Sequence, residues 1–394
     1  MSREILIELY DAGSLENIIS LEDGRYTQAV YLYFTGSEAP TDERIDTLRA
    51  FIRRRFRIPA EFIPVRERSI NAVCRVLDRI LSGGARCVVD LTGGDELFSA
   101  AAGRYAALHD EGRIVMQQMD LRRGTLRFRH PAGGPAAAAP LLTVKECVAL
   151  QGAVVMHSSP YDPSNALLEQ EILRLWDAVK DDPRHWNHFC SLSGFSRTQH
   201  GGRMEKCVAS QHEQESYDAV ARRLRRCGIL QEERLETVKG RPYQTFSLNV
   251  PKVAWTLYRK GGNLLELYCA LAVCRAGRFR DCQVSVSLDW DSRIRRHAPD
   301  VRNEVDVMLV HGHIPVLISC KNTKLENEYL YEIMIMARHY GGRHARPVIV
   351  SSVENLPNIR LRAEEMGILL IENVQALTLE EFTERFRAAF PSQS

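Results

Sequence analysis

The sequence predicts an α/β protein in which a mostly helical connector joins two α/β domains. In the first third, short apolar runs typical of strands alternate with longer helical patterns. In the last third, a helical stretch precedes three strand-like runs, a second helix and further strands. Between them, a run of proline, glycine and alanine over residues 131–140 marks a linker or exposed loop, and a mostly helical pattern follows it. A chain of 394 residues is long enough for two or three such units.

The first domain is expected to span residues 1–140. Its alternation of strands and helices predicts a largely parallel sheet that is covered on both faces, with ligands beyond the carboxyl ends of the strands. A closing hairpin is expected around residues 122–124. The strand-like runs are residues 5–10, 29–34, 62–65, 87–91 and 113–116.

The connector is expected to span residues 141–258, with helical patterns over 166–180 and 215–227 and a strand-like run at 243–248. Helices followed by a small hairpin indicate a winged-helix-like module. Such a module can read DNA, but we favour a role as a connector or dimerisation element, because fold alone does not establish function.

The last domain is expected to span residues 259–394 and to form a compact α/β unit. The predicted helices are residues 263–276 and 326–340, and the predicted strands are residues 283–288, 303–310, 316–319, 347–351 and 367–371.

The amino-acid composition limits which binding partners and which cellular compartment we predict for the protein. Lysine plus arginine (52) nearly balances aspartate plus glutamate (50), so global charge does not mark an obligate nucleic-acid binder. Ten cysteines without a C-x-x-C pair indicate reduced thiols in a cytoplasm and argue against a zinc ribbon. We expect no signal peptide and no membrane span, because no apolar run approaches about 18 residues.

Two acids lie on the first strand of a predicted hairpin in the last domain. Strict alternation would place Glu304 and Asp306 on one face of this strand, and Val305 and Val307 on the other.

Lys321 ends the next strand of this hairpin, and Glu266 lies on the preceding helix. Metal-assisted phosphodiester hydrolysis needs hard oxygen ligands, a water molecule and a cation near the phosphate. Together with Asp306, these residues predict a nuclease site that uses Mg²⁺ or Mn²⁺.

Three motifs at these positions resemble the PD-(D/E)xK restriction-endonuclease-like family and, more narrowly, the effector domain of CRISPR ancillary nucleases. They lie at residues 262–266, 303–306 and 318–322. The resemblance implies that Glu266 and Asp306 are metal ligands and that Lys321 is the catalytic lysine.

One position departs from the family pattern. Ser319 stands where the broader pattern has Asp or Glu. The metal shell is then one carboxylate short unless Glu304, Glu326 or a backbone carbonyl completes it.

Other reactive side chains have simpler interpretations. Cys320 could act as a nucleophile, but alternation points its thiol into the core, where small thiols usually lie. His311 and His313 are expected to face solvent in a turn. A further group lacks the paired spacing of a zinc site, and we interpret it as structural: His185, His188 and Cys190.

In the first domain, two polar loops follow predicted strands. The strand at residues 87–91 leads into Thr92-Gly93-Gly94-Asp95 and then into a helix, and a loop at residues 11–17 follows the first strand. Glycines let the backbone approach a ligand, and the helix offers unpaired N–H groups to a phosphate. The loops therefore predict one pocket. A plain strand-to-helix turn with Asp95 as its cap fits the loop at residues 92–95 equally well.

These loops resemble the CRISPR-associated Rossmann fold (CARF) sensor family. The resemblance implies a homodimer whose pocket spans the two-fold axis and binds a cyclic oligoadenylate, with cyclic tetra-adenylate as the activator. No G-x-G-x-x-G motif is present, which disfavours a nicotinamide dinucleotide. The residues assigned to the pocket are Asp11, Ser14, Thr92, Gly93, Gly94 and Asp95.

The sequence thus predicts a cyclic-oligoadenylate-activated, metal-dependent nuclease of type III CRISPR defence. Its substrate is DNA, RNA or both, and the ring size, four or six adenylates, stays open. One alternative is a ligand-responsive transcription regulator that uses the winged helix and has an inactive last domain. Another is a sensor that also degrades its own ligand.

Overall fold

In the part of the chain that the structure describes, three β-sheets form the framework. The structure, a computed structural model, describes residues 4–12, 15–23, 26–37, 39–82, 84, 86–109, 113–121, 125–131, 142–192, 203–207, 211–238, 240–258, 260–290 and 302–392. No helix in these ranges has both the length and the apolar character that crossing a bilayer requires.

The first α/β unit is a six-stranded sheet with helices on both faces. Its elements are β1 (Glu4–Leu9), α1 (Glu16–Ile19), β2 (Tyr26–Phe34), α2 (Asp42–Arg55), β3 (Ala60–Val65), α3 (Ile70–Leu81), β4 (Arg86–Asp90), α4 (Glu96–Leu108), β5 (Ile114–Asp120) and β6 (Thr125–His130). The strand order is β3-β2-β1-β4-β5-β6, parallel up to β5, with β6 antiparallel to β5. The predicted parallel sheet is confirmed, and β5 and β6 pair antiparallel as the predicted hairpin requires, although residues 122–124 between them lie outside the described residues.

The order of these strands places the loops after β1 and β4 side by side. The chain winds from β1 outward to β3 on one side and from β4 outward to β6 on the other. In open α/β sheets, ligands bind outside the carboxyl ends of the strands at this switch point. Thr41, Ser69 and Asp95 start α2, α3 and α4, because their side chains accept backbone N–H groups of the first turn.

The connector contains a small antiparallel sheet beside three helices. Its elements after α5 (Val144–Leu150) and β7 (Val154–Pro160) are α6 (Ala166–Val179), α7 (Pro183–Ser191), β8 (Arg203–Cys207), α8 (Gln211–Arg226), β9 (Leu230–Val238) and β10 (Arg241–Leu248). The sheet order is β8-β10-β9. The winged-helix-like arrangement of helices followed by a hairpin is confirmed.

Strand β7 differs from the mostly helical pattern that we expected after residue 143. It pairs antiparallel with a strand of the last domain and forms the edge of that sheet. Most of its residues are exposed or half-buried, so it lacks the apolar alternation that reveals a strand. Its backbone hydrogen bonds come from a partner more than a hundred residues later, which a local pattern does not encode.

The last unit is a six-stranded mixed sheet. Its elements are α9 (Gly261–Ala276), β11 (Arg280–Asp289), β12 (Arg302–His311), β13 (Ile314–Lys321), α10 (Asn327–Gly341), β14 (Arg346–Ser351), α11 (Pro357–Glu365), β15 (Leu369–Ile371) and α12 (Leu379–Ala389). The order is β15-β14-β13-β12-β11-β7, antiparallel from β7 to β13 and parallel from β13 to β15. The predicted meander is confirmed, whereas α11 and α12 were not predicted.

Two continuous cores join the units. The first contains α9, α12 and the helices of the connector, and it covers one face of the last sheet. The second contains α5 and α10 and joins the opposite face of that sheet to the first sheet. The loops of the first unit and the acids of the last are therefore connected through close-packed structure.

Candidate functional site

Glu266 lies on α9, at the point where this helix crosses the meander. The residue is 8% exposed, and its Oε2 accepts a hydrogen bond from the Ser285 hydroxyl at 3.3 Å. Gly262, one turn earlier, leaves room for the carboxylate, because a Cβ there would lie 3.1 Å from Glu266 Oε1. The predicted helix position of Glu266 is confirmed, and the structure adds that the side chain is buried beside β11.

Asp306 on β12 is held by the neighbouring strand β13. The Cys320 backbone N–H donates to Asp306 Oδ2 at 2.6 Å, and the Ser319 hydroxyl donates to the same oxygen at 3.4 Å. Ser319, which replaces the acid of the family pattern, therefore orients the acid that is present. Hydrogen bonds to one carboxylate oxygen leave the other oxygen for further contacts.

The predicted alternation of faces along β12 is wrong at Asp306. Val305 packs into the core that contains α10, whereas Val307 packs into the core that contains α9. On the adjacent strand, Ser285 has φ +50°, an irregular backbone next to the site. Irregular strands of this kind re-aim side chains next to functional sites.

Lys321 ends β13 near Asp306. Its Nζ lies 4.7 Å from the centre of the Tyr329 ring on α10. Its charge acts on Asp306 and lowers the pKa of that carboxyl, against the larger effect of burial, which raises it. Glu304 lies further out, with Oε2 3.7 Å from Lys260 Nζ. Glu326 is exposed just before α10.

The two inner carboxyls are electrostatically linked. Burial is the largest cause that raises the pKa of Glu266, to about 8, followed by the charges of Asp306 and Glu304. Burial also raises the pKa of Asp306 above its ordinary value. Glu266 is buried and Asp306 is half-buried, and a nearby cation stabilises the ionised forms of both carboxyls, so the site attracts positive charge.

The oxygen donors fit a hard divalent cation that keeps part of its water. Glu266 and Asp306 would hold the ion, since Mg²⁺ in proteins is commonly bound through one or two carboxylates. Among the residues that the structure describes, no group of three or more His, Cys, Asp or Glu side chains is arranged to hold a metal ion.

Other predicted positions have structural partners. Cys320 is buried, as expected, and burial raises the pKa of its thiol well above the ordinary value. His185 Nδ1 lies 2.8 Å from Asp182 Oδ1, and His188 Nδ1 lies 2.8 Å from Ser216 Oγ. These contacts agree with the structural interpretation of that group.

The expected exposure of His313 is wrong. This side chain is fully buried, and its Nε2 contacts the carbonyl oxygen of Leu121, which follows β5 of the first unit. The first unit therefore covers the turn between β12 and β13. This contact joins distant parts of the chain, so the sequence of the turn does not predict it. His311 is half-buried, and its Nε2 lies 3.1 Å from the Pro391 carbonyl oxygen.

At the switch point of the first sheet, the two polar loops touch. A Cβ on Gly93 would lie 3.1 Å from the Cβ of Asp11 and 3.4 Å from that of Glu16. Gly94 has φ +92°, and a Cβ there would lie 2.8 Å from the Cβ of Leu9. Both glycines let the loop after β4 approach the end of β1 closely. Ser14 lies outside the described residues.

Thr92 and Asp95 have internal hydrogen bonds. Thr92 Oγ1 accepts from the Met119 backbone N–H at 2.8 Å. Asp95 Oδ1 accepts from the Phe98 N–H at 2.9 Å and caps α4, and Asp95 Oδ2 forms an ion pair with Arg68 at 2.5 Å. Asp95 therefore has the capping role that we weighed against ligand contact.

Sequence reasoning missed the partners of the first loop. Arg343 and His344, in the turn between α10 and β14, contact the buried Glu16. Arg343 also donates to Asp11 Oδ2 at 3.3 Å. No local signal predicts these contacts, because more than three hundred residues separate the partners.

No protein-family model matches the chain, and no curated protein matches it in sequence. Among solved structures, the protein VC1899 from Vibrio cholerae is similar, with a TM-score of 0.73 and 16% identity over 99% of each chain. Can2 from Sulfobacillus thermosulfidooxidans, solved in complex with cyclic tetra-adenylate, has a TM-score of 0.65 and 15% identity. That similarity covers 99% of this chain and 100% of Can2.

These similarities extend along the whole chain, so they include all three units and their order. At such low identity they establish the fold, not the activity. The chain therefore has the fold of VC1899 and Can2, and the predicted α/β fold class is confirmed: a Rossmann-like unit, a winged-helix-like connector and a second α/β unit.

Proposed function

We propose that the protein is a cyclic-oligoadenylate-activated, metal-dependent nuclease of type III CRISPR defence. The observation that carries this proposal is the hydrogen bonding that holds two acids near a lysine: Ser285 donates to Glu266, the Cys320 N–H donates to Asp306, and Lys321 follows Cys320 at the end of β13. The charge of Asp306 raises the pKa of Glu266, and the charge of Lys321 lowers that of Asp306 against the larger effect of burial. Titratable groups that perturb one another in this way cluster at functional sites.

In this proposal, Glu266 and Asp306 hold Mg²⁺ or Mn²⁺, and Glu304 at the rim adds negative charge. The ion would supply an acidified water as nucleophile and neutralise the phosphate. The Cys320 N–H and the Ser319 hydroxyl keep Asp306 in place. Lys321 brings a positive charge close to Asp306, where the charge of the transition state develops.

The sensor half of the proposal rests on the loops after β1 and β4. Asp11, Thr92, Gly93, Gly94 and Asp95 lie around one switch point, and Ser14 belongs to the same loop by sequence. The complex of Can2 with cyclic tetra-adenylate, a protein of the same fold, supports this ligand. The backbone at Gly93 lies close to the Cβ atoms of Asp11 and Glu16, and this closeness supports a single pocket formed by both loops.

Activation would proceed through a homodimer. A ring with two-fold symmetry fits an isologous pair of pockets. Ligand binding would favour the state in which both nuclease sites accept DNA or RNA, and it does so only if the ligand binds that state more tightly. We place the protein in the cytoplasm, in line with ten cysteines that include no C-x-x-C pair.

A fluorogenic cleavage assay tests the proposal. The full chain is incubated with labelled single-stranded DNA, RNA or supercoiled DNA, with and without Mn²⁺ and cyclic tetra-adenylate. We expect cleavage only when both the metal and the ring are present. A chain that binds the ring and never cleaves would instead favour the transcription regulator. Linear products from the ring alone would indicate a sensor that degrades its ligand.

A further inference from the structure

A turn of the last unit reaches into the predicted ligand pocket of the first. Arg343, between α10 and β14, donates hydrogen bonds to Asp11 and Glu16, and His344 Nε2 lies 2.7 Å from Glu16 Oε1. The Glu16 side chain is fully buried and that of Asp11 is 14% exposed, whereas that of Arg343 is 55% exposed. Arg343 and His344 therefore cover two acids at the border between the two units.

These two acids lie directly against the glycine loop. The nearest side-chain atoms to a Cβ on Gly93 are those of Asp11 at 3.1 Å and Glu16 at 3.4 Å. The Cβ atoms of both acids are the side-chain atoms that approach the loop, and their carboxylates contact Arg343 and His344. Negative charge close to the loop repels an anion where water is partly excluded, so the loop needs compensating positive charge to accept a phosphate.

Glu16 is ionised at neutral pH. Burial alone would raise its pKa, but the hydrogen bond and charge of His344, together with the charge of Arg343, outweigh burial. Its net pKa is therefore below the ordinary value. A buried anion without its cations would be costly, so the turn is needed for the loop as it stands.

The turn also lines a basic groove. A cavity of about 570 Å³ on the last unit includes Arg343 and His344, and its other ionisable lining residues are His311, Arg338 and Arg346. No acidic residue is among the described residues that line it. The positive potential near the glycine loop therefore extends along the last unit.

We propose that Arg343, assisted by His344, is a positioning residue of the sensor site, because it neutralises Asp11 and Glu16 so that the Gly93 loop can accept a phosphate-bearing ring. The inference rests on the proposed ligand. It makes affinity at the sensor depend on a residue of the nuclease unit. By thermodynamic linkage, ligand binding then strengthens the contact between the two units.

The test measures the dissociation constant of cyclic tetra-adenylate for the full chain by titration calorimetry. Arg343→Gln is expected to weaken binding by roughly tenfold or more, because it leaves carboxylate charge uncompensated beside the loop. Arg343→Lys should recover part of the loss. Adding Glu16→Gln to Arg343→Gln should recover more, since it removes a charge that needed neutralisation. Arg362→Gln, the same change beside Tyr331 and outside the groove, should bind like the unaltered chain.

Thermal unfolding separates binding from folding. The variants are compared only where their melting temperatures lie within about 3 °C of the unaltered chain, a difference of about 1 kcal/mol. Unchanged affinity in Arg343→Gln, or no recovery on adding Glu16→Gln, overturns this inference alone. If the unaltered chain binds no cyclic oligoadenylate, both this inference and the proposed function fail.

Discussion

The Ser319 hydroxyl donates a hydrogen bond to Asp306 Oδ2 at 3.4 Å, across the pairing of β12 and β13. The position at which the family pattern has an acid thus supports the neighbouring acid. Because residue 319 is a serine, the candidate site has two carboxylates, those of Glu266 and Asp306, together with Lys321. This hydrogen bond predicts how much the rate of cleavage depends on the side chain at residue 319.

Ser319→Ala removes one hydrogen bond to Asp306 but leaves the bond from the Cys320 N–H. We expect cleavage to fall by about fivefold, since one hydrogen bond contributes about 1 kcal/mol. The rate is measured under saturating Mn²⁺ and ring. Ser82→Ala, an exposed hydroxyl of the first unit, should cleave at the unaltered rate. Equal rates for both variants would show that Ser319 has no role in the site.

Glu266→Gln should stabilise the metal-free protein at alkaline pH. The pKa of Glu266 is raised to about 8, so its contribution to stability is fully present at acidic pH and is lost as pH rises through about 8. In EDTA above that pH, we expect the variant to melt roughly 3 °C or more above the unaltered chain, with little difference near pH 5. Glu328→Gln, an exposed glutamate on α10, should show no such gain. A pH-independent difference would contradict this explanation.

Gly94→Ala should destabilise the first unit and weaken ring binding. A side chain at φ +92° is strained, and its Cβ would lie 2.8 Å from the Cβ of Leu9. We expect a loss of about 1–3 kcal/mol in the free energy of unfolding, measured by urea titration. Gly103→Ala on α4, where a Cβ meets open space, should be neutral or slightly stabilising. A stable Gly94→Ala variant would mean that this close approach is not required.

The sequence predicted the order of elements better than their long-range contacts. Strands of the last sheet such as β13 were predicted correctly because they are apolar and bounded by turns. Glu304, Asp306 and Lys321, which belong to the predicted site, lie on these strands. Edge strand β7 was missed because it is largely exposed and pairs with β11. The contact of Arg343 with Glu16 joins residues that only folding brings together.

The break in alternation at Asp306 has a similar explanation. A period of two predicts faces correctly only while the backbone is regular. Ser285 on the neighbouring strand adopts φ +50°, a backbone conformation that the sequence around it does not predict. Departures from local rules are expected where a site places its side chains for chemistry rather than for packing.

The central claim is that Glu266, Asp306 and Lys321 act on one phosphodiester bond. The most direct test measures cleavage of labelled nucleic acid by Asp306→Ala and Lys321→Ala in the presence of Mn²⁺ and cyclic tetra-adenylate, with ring affinity measured on the same preparations. We predict a loss of at least roughly a thousandfold in rate, the scale of losing a contact made in the transition state, with ring affinity unchanged. Full cleavage by either pure variant, or by the unaltered chain in EDTA, would contradict the account.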